Sequence, residues 1–266
     1  MQSTARALAV VFGLSSTAAA GDYDDKILEG CPNLKDGAVS TETIQTDMSF
    51  HVDSWNTISH LNGQITHENA SVVRDNLLFD SQSTYRPNGD LIMINSVGGI
   101  TRQADMIIRN MERTGSVITV CASEASSSAF AVLASGVSRY AYKDCLAITH
   151  STTLEASGAL SLNDISEAEK TIKRDEKPYK ETILDKTAID ETCYAALTQN
   201  GDIPLDSQSL LALGVVDGVL NYDGTMTVRS GDPRIEFQAC MSDKIKVDEP
   251  TQEHINAAAE KCTPSP

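Results

Sequence analysis

The chain is 266 residues long, 41% hydrophobic and 22% charged, with no low-complexity tract or internal repeat, which suits one substantial domain and a small appendage. Its 21 basic residues face 37 acidic ones, a formal net charge of −16 at pH 7. That balance argues against nucleic acid or an anionic membrane surface as a partner, since both need a basic footprint; it leaves a mutually repelling surface or an acidic cleft for cationic peptides.

Residues 1–20 read as a secretory leader. Arg6 supplies a positive charge, residues 7–14 an eight-residue apolar run too short to span a bilayer, and Ala18-Ala19-Ala20 a small-residue cleavage pattern. The expectation is a periplasmic or secreted protein that begins at Gly21 and has no membrane span in its mature form. Residues 21–57 are polar and mixed, an N-terminal extension. A regular pattern begins at Ile58. A short strand over 58–61 leads through Asn62-Gly63 to Thr66, a good helix N-cap, after which Ala70, Val73 and Leu77 recur at helical spacing. The turn Pro87-Asn88-Gly89 precedes an apolar strand over 91–94. Beyond Gly98-Gly99, the stripe Ala104, Ile107, Ile108 and Met111 marks an amphipathic helix that Gly115 closes.

The cycle then repeats: a β-branched strand over 117–121, a small-residue helix over 128–134 ended by Gly136, and a strand over 145–150. Near-continuously apolar strands alternating with helices predict an α/β fold with a mainly parallel sheet and right-handed crossovers. Residues 161–190 form a charged, helix-prone stretch with Ile165, Ile172 and Tyr179 spaced at sevens, which Pro178 is expected to kink or divide. Asp206 caps a last helix through Leu210 and Leu213, stopped by Gly214 before a strand at Val215-Val216. Residues 222–266 are an acidic tail. Cysteines at 31, 121, 145, 193, 240 and 262 make an even count, which in an exported chain points to disulfides. Cys240 and Cys262 bracket the tail and are the expected pair. Cys121 and Cys145, on consecutive predicted strands, are either bridged or small buried hydrophobes. No cysteine has zinc-site spacing and the five histidines are scattered, so neither metal nor cofactor is expected.

Acyl-transfer chemistry needs a nucleophile, a base, an orienting group and donors for a developing oxyanion. Ser126-Ser127-Ser128 sits where a strand gives way to a helix, and His150 ends the next strand on the same sheet edge. Taken singly, the serines read as an N-cap cluster, His150 as a structural hydrogen-bonder, Asp202 in Asn200-Gly201-Asp202 as a turn residue, and Gly98-Gly99 as a tight turn. Their joint placement at the C-terminal ends of parallel strands, where open α/β sheets bind ligands, makes them a candidate site.

At these residues the sequence resembles the proteolytic subunit of the Clp protease, within the crotonase-like superfamily. Gly63-Gln64 through Ile94-Asn95-Ser96-Val97-Gly98-Gly99 looks like that family's G-Q-V…Y-I-N-S-P-G-G unit. Cys121-Ala-Ser-Glu-Ala-Ser-Ser-Ser-Ala-Phe matches its C-M-G-Q-A-A-S-M-G-A segment without a gap and selects Ser127 among the three serines. Leu146-Ala-Ile-Thr-His150, Asp202-Ile-Pro-Leu-Asp-Ser and Ala212-Leu-Gly-Val-Val-Asp217 resemble V-M-I-H, D-R-F-L-S-A and E-Y-G-L-V-D. The resemblance spans 58–221, which it implies to be the catalytic domain. It implies Ser127 as nucleophile, His150 as base, Asp202 as the group orienting the imidazole, and the N–H groups of Gly99 and Ser128 as the oxyanion hole. It also implies a homo-oligomer, because 161–190 corresponds to the helix that interlocks rings in the family.

This chain departs from the pattern at Val97, which replaces a proline, and at Ser123 and Ala129, which replace glycines beside the nucleophile. Ser151-Thr152 follow the histidine instead of Gln-Pro. Export away from ATP implies work without an unfoldase, on peptides, unfolded chains or esters. Two other readings share the fold: a catalytically idle binding or assembly scaffold, fitting the altered glycines, and an acyl-CoA hydratase-type enzyme, which a complete Ser/His/Asp set and export oppose.

Overall fold

The computed structural model of the protein describes residues 16–17, 23–45, 57–81, 89–151, 161–199 and 202–231. In chain order the elements are β1 (Ser16–Thr17), α1 (Asp25–Gly30), a 3-10 turn (Pro32–Leu34), β2 (Ser40–Gln45), β3 (Thr57–Ile65), α2 (His67–Ser81), β4 (Asp90–Gly99), α3 (Thr101–Thr114) and β5 (Val117–Ala125). There follow α4 (Ser128–Ala134), β6 (Ser138–Tyr142), β7 (Leu146–Ile148), α5 (Leu162–Lys186), α6 (Glu191–Gln199), β8 (Pro204–Asp206), α7 (Ser207–Ala212), β9 (Gly218–Leu220) and β10 (Thr225–Arg229).

The strands order as β1-β2-β10-β9-β6-β5-β4-β3. From β3 to β9 every pairing is parallel, and β10 and β2 extend the sheet antiparallel. This is the mainly parallel α/β architecture expected. The sheet takes in β2 and β10, which lie on either side of the 58–221 span. A side ladder leaves the main sheet at the C-terminal end of β5, where β7 pairs parallel with β5 through Glu124 and Leu146, and antiparallel with β8.

Apolar residues line both faces of the strands because both faces are covered. On one face Ala70, Val73 and Leu77 of α2 and Ala104, Ile107, Ile108 and Met111 of α3 join Leu61, Ile94 and Cys121 of the strands in the main core. On the other, Leu91, Val120, Tyr140, Met226 and Val228 form a second cluster. All seven residues of α4 are buried, which explains its small side chains: it packs against β4, β5, α3 and α5 at once. Removing a side chain as large as Phe130 or Leu133 from water contributes about 1.5–3 kcal/mol. Gly115 takes the left-handed conformation (φ 74°) and closes α3 with its N–H on the Met111 carbonyl at 2.8 Å.

Four local expectations change. β6 is a strand that the apolar pattern does not mark, because Arg139 interrupts its run; the guanidinium is buried and paired with Asp217 at 2.6 Å. Pro178 does not divide α5, which runs through it from a Ser161–Asp164 capping box and buries Tyr179 and Ile183 beyond it. Val215 and Val216 are not a strand: both N–H groups bond the Leu210 carbonyl in a buried turn, and the strand follows at Gly218–Leu220. Residues beyond Asn221 return to the sheet as β10.

Two disulfides close the described chain. Cys121–Cys145 joins β5 to the turn before β7 (Cα–Cα 6.0 Å), and Cys31–Cys193 joins the end of α1 to α6 (Cα–Cα 4.5 Å). The expected Cys240–Cys262 pair lies outside the described residues, as does the leader apart from β1. No helix among the described residues is long and apolar enough to cross a membrane, and no group of three or more metal-ligating side chains occurs among them.

Candidate active site

The site is built on the junction of β5 and α4. Ser126 ends the strand by donating its N–H to the Ser96 carbonyl (2.9 Å), and Ser127 donates its N–H to the Ile148 carbonyl at the end of β7 (2.6 Å). Between them the chain turns sharply enough that Ser127 takes φ 53° and ψ −129°. Among the described residues it is the one non-glycine position with positive φ. A side chain held in this sparsely populated region costs about 1–3 kcal/mol and persists only where the surroundings impose it.

Here the surroundings do impose it. Gly98, at φ 86°, lies so close that a Cβ added to it would stand 2.5 Å from Ser127 Cβ, 2.5 Å from the Ser126 carbonyl oxygen and 2.9 Å from Ser128 N. Ser96 braces this turn, donating its hydroxyl to the Gly63 carbonyl (2.6 Å) and accepting the Gly98 N–H (3.1 Å). Gly99 packs as tightly on the other side, its absent Cβ falling 2.4 Å from the Ile65 carbonyl oxygen. The three serines are not equivalent. Ser126 donates its hydroxyl to Glu124 Oε1 (2.8 Å) and Ser128 donates to the Gly99 carbonyl (3.3 Å), while no hydrogen bond among the described residues engages the hydroxyl of half-buried Ser127.

His150 lies two residues beyond Ile148, so the strand that receives the Ser127 N–H also delivers the imidazole to the same edge. The ring is half-buried, with Nδ1 2.7 Å from the Ser151 carbonyl oxygen. A carbonyl only accepts, so Nδ1 carries the proton of the neutral ring and Nε2 keeps its lone pair. Asp202 is exposed and precedes β8. The β7–β8 ladder pairs Leu146 with Asp206, Ala147 with Leu205 and Ile148 with Pro204, so His150 and Asp202 each lie two residues beyond its last pair. The backbone thus brings Ser127 and the strand leading to His150 together, with Asp202 two residues before β8. No hydrogen bond among the described residues joins the His150 ring to Ser127 or to Asp202.

In the sequence, Tyr179 marks only an apolar stripe on α5. Its buried hydroxyl reaches the Ser127 carbonyl (3.1 Å) and lies 2.9 Å from Thr149 Oγ1. Burial pushes its pKa well above the usual phenol value, which keeps the hydroxyl protonated and able to donate. The Cys121–Cys145 bridge ties the serine's strand to the histidine's a few residues upstream of both.

A mainly parallel sheet with a strained serine at a strand-to-helix junction, packed against a glycine pair, is the frame of a crotonase-like serine hydrolase. The sequence model of the Clp protease family matches residues 42–223, and the chain belongs to that family. It is therefore a Clp-type serine peptidase. No curated protein matches the chain.

Proposed function

We propose that the protein is an exported serine peptidase that cuts peptides and unfolded chains without an ATP-driven unfoldase. Ser127 is its nucleophile, His150 its general base and Asp202 the partner of the imidazole. The observation that carries this is the strained backbone of Ser127, whose hydroxyl, unlike those of Ser126 and Ser128, makes no hydrogen bond among the described residues. In the reaction, His150 Nε2 takes the hydroxyl proton as Ser127 Oγ bonds the scissile carbonyl carbon, and the C=O electron pair moves onto oxygen. The N–H groups of Gly99 and Ser128 receive that oxyanion, each worth about 3–4 kcal/mol by comparison with other hydrolases. Collapse breaks the C–N bond and His150 returns the proton to the leaving amine. Water then repeats the sequence on the acyl-enzyme and releases the acid. The Nδ1–H bond to Ser151 supports this role, because it leaves Nε2 as the basic nitrogen; the β7–β8 register supports Asp202 as the group that adds charge behind the ring.

Two disulfides support an oxidising compartment, periplasmic or extracellular. Family membership supports a homo-oligomer, and α5 exposes Ile165 (51%) on the helix that would interlock copies. The reading predicts that unstructured peptides are cut without ATP, that tightly folded proteins resist, and that Ser127→Ala cuts neither. Peptide cleavage that requires ATP and a cytosolic extract would contradict it. The exposed carboxylate of Asp202 favours one other reading, an idle scaffold of the same fold; wild-type protein that cleaves no peptide or ester would support that one.

A further inference from the structure

We infer that Tyr179 is a positioning residue for the oxyanion hole and that it couples helix α5 to the nucleophile turn, an inference that rests on the peptidase reading above. The argument begins with the peptide unit between Ser127 and Ser128. That unit is rigid and planar, with its C=O and N–H pointing in opposite directions. Whatever fixes the Ser127 carbonyl therefore also aims the Ser128 N–H, the group proposed to receive the oxyanion. Two donors hold that carbonyl: the Phe130 N–H at 2.9 Å, supplied by the first turn of α4, and the Tyr179 hydroxyl at 3.1 Å, supplied by α5.

The phenol has one proton, and it is given to Ser127. The 2.9 Å contact with Thr149 Oγ1 must then run the other way, with threonine donating to the phenol oxygen. Thr149 is buried and adjoins His150. A single chain of hydrogen bonds, Thr149 to Tyr179 to Ser127, thus fixes the base's strand and the oxyanion peptide plane against one helix. Without it, the Phe130 N–H alone holds that carbonyl, and ψ of Ser127 can shift part-way from its strained value, which tilts the Ser128 N–H off the reacting oxygen. The ground state loses little, because a substrate carbonyl does not yet carry the charge that the N–H is aimed to meet.

The test is Tyr179→Phe in the full chain, assayed with a p-nitrophenyl ester and with a dipeptide boronate, whose tetrahedral adduct stands in for the intermediate. Partial misalignment of one oxyanion donor should lower kcat about tenfold with KM unchanged, and raise the boronate inhibition constant by the same factor. A purely structural tyrosine would lower the melting temperature and leave both constants alone. If Tyr179→Phe does not fold, Tyr179→Met removes the same hydroxyl while keeping an apolar side chain in its place, and is read by the same two constants. Wild-type kcat and boronate inhibition in the folded variant overturn the inference and leave the peptidase reading intact. A wild-type chain that neither hydrolyses the ester nor binds the boronate overturns both.

Discussion

The serine side and the histidine side of this site are built differently. Ser127 is embedded: its N–H is bonded by β7, its carbonyl by α4 and α5, and its turn is fitted against Gly98. His150 lies past the end of a three-residue strand with its imidazole on the carbonyl of its own neighbour, and Asp202 is exposed. The turn that carries the proposed nucleophile is thus packed against the core, whereas the proposed proton-transfer residues lie past the ends of short strands. Changes around the serine should cost both fold and activity, and changes on the histidine side should cost activity alone.

The largest effect expected is His150→Ala, which should lower peptide or ester turnover by about 10⁴ or more while moving the denaturation free energy by no more than about 0.5 kcal/mol. A matching loss of stability would erase the distinction between the two sides. Gly98→Ala should behave in the opposite way. Its Cβ would collide with backbone at 2.5 Å and occupy a φ of 86°, so chemical denaturation should show a loss of at least about 3 kcal/mol together with loss of activity. Replacing Cys121 and Cys145 by alanine opens a bridge with a sequence separation of 24, and on the chain-entropy model costs about 3 kcal/mol. Because that bridge ties the serine's strand to the histidine's, turnover at saturating substrate should fall with it. The same exchange at Cys31 and Cys193, which anchors α1 to α6, should lower stability and spare turnover. Asp202→Asn should reduce kcat by only about 10- to 100-fold at unchanged stability, since the Ser151 carbonyl already selects the tautomer; a loss as large as that of His150→Ala would place the orienting role wholly on Asp202. Smallest of all, Arg102→Ala removes a surface pair with Asp175 and should shift stability by less than about 0.5 kcal/mol.

What could be read from the sequence follows the same division. The helices α2 and α3 were legible because their buried stripes are periodic and their ends carry Thr66 and Gly115. The glycine pair and the serine run were legible as a pattern, and the family resemblance set the register that singles out Ser127. The strain at Ser127 was not legible, since it comes from Gly98 and Ser96, some thirty residues earlier, pressing on the turn. Nor was Tyr179, whose spacing marks it as an apolar side chain and says nothing of what its hydroxyl meets. β6 was hidden by Arg139, which belongs in a strand only because Asp217 arrives from the far end of the domain to pair with it. The Cys31–Cys193 bridge, with a sequence separation of 162, depends on how α1 docks against α6. Each of these is a long-range contact, and local periodicity carries no record of such contacts.

The central claim is that the fold singles out Ser127 as an activated nucleophile. A fluorophosphonate tests it directly, because the tetrahedral phosphoryl adduct forms on an activated serine and is retained through digestion. Mass spectrometry of the labelled full chain should place one adduct per chain on Ser127, with labelling lost in Ser127→Ala and mostly kept in Ser126→Ala. An adduct on Ser126 or Ser128, or no adduct on folded wild-type protein, would contradict it.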